Sequence, residues 1–348
     1  MTRNDTHSTP IPTRWIGPLT ICGNAMNDTV RVPLATYESP LWPSTARGAK
    51  VAEHCGGVRC TIVDERMARS VLLTAADAAT AFAALQSIRA RRDELAAVIA
   101  ATSRFARLLD LHAEIVGNLL YLRLECSSGD ASGHNMITKA ADAAISWLLA
   151  EFPQLASGSI SANYCTDKKA SAVNGILGRG KNVIAELTVP RRLCERLLRT
   201  TPEQIVALNL RKNFIGGILA GSIRSANAHF ANILLAFYLA TGQDAANIIE
   251  GAQGIVHAET RDGDLYFSCT LPNLIVGTVG SGKGDTLATV EEHLQALGCR
   301  EARPAGENAR RLAAICAATV LCGELSLLAA QTNPGELMRA HLALERRA

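Results

Sequence analysis

Gly117-Asn-Leu-Leu-Tyr-Leu-Arg-Leu-Glu-Cys126 sets Leu120, Leu122, Leu124 and Cys126 alternating with Tyr121, Arg123 and Glu125, and a Gly-Asn turn opens it. That period of two is the mark of a β-strand. Upstream, residues 74–101 are Ala-rich and helical in texture; downstream, the Gly-rich stretch Ser127–Gly133 leads into a helical run from Asn135 to Phe152. Helix, strand, strand and helix in succession predict a small α+β unit that starts near residue 71, where the composition changes. Before it, residues 11–70 are rich in Pro, Gly and Thr and carry short β-like runs at Val30–Leu34 and Val58–Val63. After it, a polar stretch from Ser161 to Lys169 precedes a strand candidate (Asn182–Val189) and then long helices. Thr201-Pro-Glu-Gln204 is a capping box with Pro in the first turn. Phe230, Ile233, Leu234, Phe237 and Tyr238 form an apolar stripe at helical spacing.

Of the 348 residues, 48% are hydrophobic and 19% charged, enough for a large core or two and unlike a disordered chain. The net charge of +3 is too small for a nucleic-acid footprint, and the apolar runs at Phe230–Ala240 and Ala313–Cys322 fall short of a membrane span. No apolar leader follows Met1, so a cytoplasmic protein is expected. Ten cysteines contain no CxxC pair, and with no His at zinc spacing they predict buried thiols and no metal.

Three segments could carry chemistry. Gly277-Thr-Val-Gly-Ser-Gly-Lys-Gly284 follows a strand as a phosphate loop does, but Gly284 stands where magnesium needs Ser or Thr. A Gly-rich turn that brings backbone to a ligand remains. Ser127-Ser-Gly-Asp-Ala-Ser-Gly-His-Asn135 opens a helix without the GxGxxG of a Rossmann fold, and nearby Ser103-Arg-Phe-Ala-Arg107 offers cations for phosphate. Asp167-Lys168-Lys169 lies among small polar residues, so Lys168 is a catalytic candidate beside the ordinary alternative of a solvated charge run. Glu38, Asp244, His229 and Asn232 complete the polar inventory.

Taken together, Thr102-Ser-Arg-Phe-Ala-Arg-Leu108, Ser128-Gly-Asp-Ala-Ser-Gly-His-Asn-Met-Ile137, Asn163-Tyr-Cys-Thr-Asp-Lys-Lys169, Gly178-Arg-Gly-Lys181, Asn227-Ala-His229, Gly242-Gln-Asp-Ala-Ala246, Gly277-Thr-Val-Gly280 and Gly306-Glu-Asn-Ala-Arg310 resemble the catalytic region of 3-hydroxy-3-methylglutaryl-CoA (HMG-CoA) reductases, in the class that uses NADPH. The resemblance runs from about Pro10 onward. It implies an α+β fold in which a large, mainly helical substrate domain (1–70 and 160–348) carries an inserted small cofactor domain (71–159) of ferredoxin-like, non-Rossmann type. By the same resemblance, Glu38, Lys168, Asp244 and His341 are catalytic. Arg69, Ser161, Asp167, Lys169, Lys212 and Asn232 hold the substrate's carboxylate, with Ser44, Arg47 and His229 also facing substrate. Ser103, Arg104, Phe105, Asp130, Gly133, Asn135, Gly277, Thr278 and Gly280 meet NADPH. The implied partners are a CoA thioester and further copies of the chain, as a homodimer or homotetramer, with neither nucleic acid nor membrane.

The sequence departs from the family's pattern at Thr2–Ser8, at Thr36-Tyr-Glu-Ser39, at Ala46 and at Gly280-Ser-Gly-Lys283. These changes cluster where CoA and its acyl chain would enter. The leading expectation is therefore an HMG-CoA reductase forming mevalonate, and the alternatives are a paralogue acting on another carboxylated acyl thioester and a non-catalytic binding homologue.

Overall fold

One long strand joins two hydrophobic cores. In the computed structural model, which describes residues 9–280 and 287–345, the chain runs β1 (Thr13–Gly23), β2 (Asn27–Ala35), α1 (Leu41–His54), β3 (Val58–Thr74), α2 (Ala78–Ala90), α3 (Arg92–Thr102), β4 (Leu108–Val116) and β5 (Leu119–Cys126). It continues through α4 (His134–Glu151), β6 (Ala156–Ile160), β7 (Gly180–Val189), α5 (Pro202–Leu208), α6 (Phe230–Ala240), β8 (Ile255–Arg261), β9 (Asp264–Leu274), α7 (Ala288–Ala296), α8 (Glu307–Gln331) and α9 (Glu336–Glu345). Shorter helical pieces fill 172–177, 191–198, 209–220 and 245–251.

The first half of β3 lies in the path β2-β1-β3-β7-β9-β8, beside β1 and β7. At Met67 it changes partners and pairs antiparallel with β5 and β6. The chain from β3 to β6 thus reads β-α-β-β-α-β with spatial order β4-β5-β3-β6. The helix that was expected over 74–101 is two helices broken at Arg91. Both expected boundaries, 70/71 and 159/160, fall inside strands, β3 and β6, the first and last strands of the small sheet in chain order.

Cores form on the side of each sheet that its helices cover. Leu73, Leu85, Ile99, Leu120, Leu122, Leu124 and Ala144 fill one; Ile21, Cys60, Val183, Phe267 and most of α8 fill the other. More sheet is present in the larger part than the sequence suggested, because β1, β7 and β9 lay their apolar faces on α8. That helix crosses α1 so closely that a Cβ on Gly48 would stand 1.9 Å from the Cys322 carbonyl oxygen. It exceeds the apolar run read from sequence and is long and apolar enough to cross a membrane, yet 94% of its most apolar stretch is buried inside the molecule. All ten cysteines are free thiols, eight of them buried.

Candidate active site

β5 shows how the fold holds the loop that carries Lys168. The alternation that should expose Arg123 and Glu125 instead buries both completely, because residues 164–178 roof that face of the strand. Arg123 donates to Glu125 Oε1 (2.7 Å), the Tyr164 carbonyl (3.0 Å), Asn174 Oδ1 (2.9 Å) and the Gly178 carbonyl (2.6 Å). A buried guanidinium is tolerated only when its donors are satisfied, so these bonds fix the loop's path. Asn163 at its entry and Thr166 and Lys168 within it adopt left-handed φ values of 57°, 39° and 56°. Such angles cost non-glycine residues energy and persist where the surroundings over-determine them.

The loop delivers Lys168 Nζ to 2.7 Å from Asp244 Oδ2. Asp244 raises the Lys168 pKa, so the amine is charged at neutral pH. Burial pushes the Asp244 carboxyl up, but the hydrogen bonds from Lys168 and the Ala246 amide outweigh it and leave the net shift downward. One residue earlier, Asp167 lies 3.0 Å from Arg179, 3.4 Å from Arg69 and 3.7 Å from His134. Arg179 is fully buried and also pairs with buried Glu250. Lys169 reaches back to the Asp167 carbonyl at 3.1 Å, and Ser161 Oγ sits 3.1 Å from Cys165 Sγ.

A second cluster forms where α1, α6 and α8 meet. Glu38, just before α1, accepts from Asn232 Nδ2 at 3.0 Å. His229, at the start of α6, is within hydrogen-bond distance of the Gly323 carbonyl (3.0 Å), and its backbone amide donates to buried Glu324 (3.0 Å). Lys212 bonds Asn213 at 3.4 Å, and among the described residues it shares no hydrogen bond or ion pair with Arg69, Asp167 or Lys169. Further along α1, Ser44 meets Ser326 at 3.0 Å and Arg47 pairs with Glu336 of α9 at 2.6 Å. Both line a largely apolar cleft of about 230 Å³.

The expected cofactor residues gather on the small sheet's edge. The Ser127 hydroxyl donates to the Phe105 carbonyl and accepts from the Arg107 amide, and the Ser127 amide donates to the Arg107 carbonyl, which draws residues 103–107 against 127–129. Arg104 is exposed, its guanidinium 5.5 Å from the Phe105 ring centre, and Ser103 accepts from the Phe105 amide. Gly133 takes φ 96° and α4 begins with no side-chain cap, which leaves the helix start, with Asn135 in its first turn, open to an anion. Gly277 packs so tightly that a Cβ there would stand 2.3 Å from Ser132 N. Thr278 is buried with its amide on the Asp130 carbonyl, and Gly280 turns at φ 70°. The Asp130 carboxylate is engaged by the Gly306 (2.8 Å) and Ala309 (2.9 Å) amides at the start of α8. Residues 281–284 of the Gly-rich turn lie outside the described residues, as does the His341 side chain on α9.

The family model for hydroxymethylglutaryl-coenzyme A reductase matches residues 4–346. This chain belongs to that family. It is 44% identical over 339 residues to the 3-hydroxy-3-methylglutaryl-coenzyme A reductase of Pyrococcus horikoshii, covering 97% of this chain and 81% of that protein. The Aeropyrum pernix protein of the same name is 42% identical, with coverage of 97% and 79%. Among solved structures, the class II reductase of Streptococcus pneumoniae bound to NADPH superposes with a TM-score of 0.75 at 21% identity, over 95% of this chain and 88% of that one, a likeness of fold.

As a member of the HMG-CoA reductase family, the chain keeps Lys168 and Asp244 in contact, but its site also rests on residues that the sequence reading passed over. Arg123, Arg179, Glu250, Glu324 and His134 are buried or nearly so and bond the Lys168 loop and the helix starts around it. Arg179 and His134 had a signal, lying inside the quoted Gly178-Arg-Gly-Lys181 and Ser128-Gly-Asp-Ala-Ser-Gly-His-Asn-Met-Ile137.

Proposed function

We propose that this chain reduces the thioester of HMG-CoA to mevalonate and free CoA at the expense of two NADPH, and the contact between Lys168 and Asp244 is the observation that carries the reading. Reduction of a thioester to an alcohol places negative charge on the substrate oxygen twice. A cation held in place by a carboxylate and a buried scaffold stabilises that charge without reorganising. Glu38, fixed by Asn232, is the proton donor of this scheme, and His341 protonates the departing thiolate. Arg69, Lys169 and Lys212 bind the free carboxylate of the substrate. Ser44 and Arg47 line the cleft that suits the pantetheine arm.

NADPH, when bound, supplies the reducing equivalents. The uncapped start of α4, Gly133 and Asn135, the backbone at 277–280, half-buried Ser103 and exposed Arg104 and Phe105 fit a phosphate-bearing dinucleotide, and Arg104 suits the 2′-phosphate. Residues 71–159 form the cofactor domain in this proposal, with ferredoxin-like rather than Rossmann topology, and the remainder is the substrate domain. The protein works in the cytoplasm, as a dimer at least. Supporting the dimer, Leu210, Ile215, Ile218 and Leu219 expose an apolar face on the helical pieces that carry Lys212.

Purified protein with HMG-CoA and NADPH should consume two NADPH and release one thiol per thioester, read by nicotinamide absorbance and a thiol reagent. Lys168→Ala should abolish both signals. Faster turnover of a different carboxylated acyl thioester, with HMG-CoA inert, would overturn the substrate assignment.

A further inference from the structure

We propose that His134 is a positioning residue for the reaction, its neutral ring coupling the start of the cofactor helix α4 to the turn that carries Asp244. Nothing in the charge pattern of the sequence marks this residue. It is the first residue of α4, directly after Gly133, with a side chain only 16% exposed. Its Nε2 lies 3.2 Å from Asn247 Nδ2, and its Nδ1 lies 3.4 Å from Ser132 Oγ. Asn247 is 1% exposed, its backbone amide donates to the Asp244 carbonyl at 3.0 Å, and among the described residues its side-chain amide nitrogen has His134 alone as partner. Among those residues this is also the one side-chain hydrogen bond between the first turn of α4 and the 244–247 turn.

The protonation state follows from the partners. Asn247 presents a donor, so Nε2 is the acceptor and the ring proton sits on Nδ1, facing Ser132. Burial pushes the imidazole down to about 4; the Arg179 and Lys168 charges act in the same direction, against Asp167 and Asp244. An uncharged ring adds no second cation beside Lys168, which leaves Asp244 paired with Lys168 alone. The consequence is geometric: the helix start proposed to hold the cofactor and the turn that orients the catalytic lysine move as one unit.

This inference rests on the reductase reading, and the test separates the two. His134→Leu should lower kcat by roughly 10- to 100-fold, the usual result of misaligned reacting groups, with KM for HMG-CoA changed less than about threefold. His134→Gln, which keeps a hydrogen-bonding group at similar reach, should regain most of the loss. Asn247→Leu should match His134→Leu, and the double variant should be no worse than either, since one link is broken once. In histidine-labelled protein without cofactor or substrate, the His134 ring ¹⁵N shifts at pH 7 should report a neutral Nδ1–H ring and should move in Asn247→Leu. A wild-type kcat in His134→Leu, losses that multiply in the double variant, or ring shifts indifferent to Asn247→Leu would overturn the coupling. If the wild type fails to turn over HMG-CoA, the reductase reading fails, and the ring shifts alone decide the coupling.

Discussion

At the scale of single residues, burial disfavours the charge on Lys168 and on the enclosed histidines alike, and the outcome differs with the partner each cation has. Lys168 is partly open and hydrogen-bonded to Asp244, so its charge is favoured; His134 and His229 are more enclosed, with carboxylates only at 3.7 Å (Asp167) and 4.0 Å (Glu324), and burial drives both down to about 4. In the unfolded chain a histidine titrates near its ordinary value, so unfolding takes up a proton at each site between pH 6.5 and 4. Their contribution to stability is therefore full above about pH 6.5 and is lost as the pH falls through that window, about 2 kcal/mol for each by pH 5. Urea denaturation of the wild type, His134→Gln and His229→Gln at pH 7 and pH 5 checks this. Each variant should show the smaller pH dependence, and equal slopes in all three would show that the rings titrate normally in the folded state. What the sequence revealed at this scale was chemistry carried by local context: Asp167-Lys168-Lys169 and Gly242-Gln-Asp244 stand out among small polar neighbours. Glu324 was hidden because its partners lie more than 90 residues away and nothing local marks it; His134 stood in the Gly-rich helix start, but its link to Asn247 spans 113 residues.

Secondary-structure elements were legible where a local rule sets them. The Thr201 capping box, the Gly117-Asn118 turn and the apolar stripe of α6 appear as read. β6, by contrast, is Ala156-Ser-Gly-Ser-Ile160, a strand made only by pairing with β3. Asp130 belongs to this tertiary class. Its carboxylate receives amides at the positive end of α8, 25 residues long and otherwise uncapped by a side chain. Loss of such a cap and charge costs about 1–2 kcal/mol. Asp130→Ala should lower the stability measured in urea by that amount, whereas Arg104→Ala, at an exposed position, should leave stability unchanged and remove the preference for NADPH over NADH. The opposite pattern, a stable Asp130→Ala without cofactor selectivity, would make Asp130 the cofactor contact and Arg104 a bystander.

For the whole molecule, the question is whether one chain contains a complete site. Among the described residues Lys212 shares no hydrogen bond or ion pair with Arg69, Asp167 or Lys169, and it lies on a segment whose Ile218 and Leu219 are 78% and 84% exposed. Apolar side chains so open to water are ordinarily covered by a partner, and a twofold axis there would let each copy lend its Lys212 to the other's Lys168 loop. Light scattering should find a dimer, and Leu219→Glu should shift it toward inactive monomer. The sharper test is complementation. Lys168→Ala and Lys212→Ala should each be nearly inactive as pure proteins. If the two lysines of one site come from different copies, an equimolar mixture allowed to exchange subunits forms mixed dimers with one site lacking both lysines and one intact. Random pairing makes half of the dimers mixed, so activity should return to about a quarter of the wild-type value. If both lysines of a site belong to the same chain, every site in the mixture lacks one of them, and no activity returns however completely the subunits exchange.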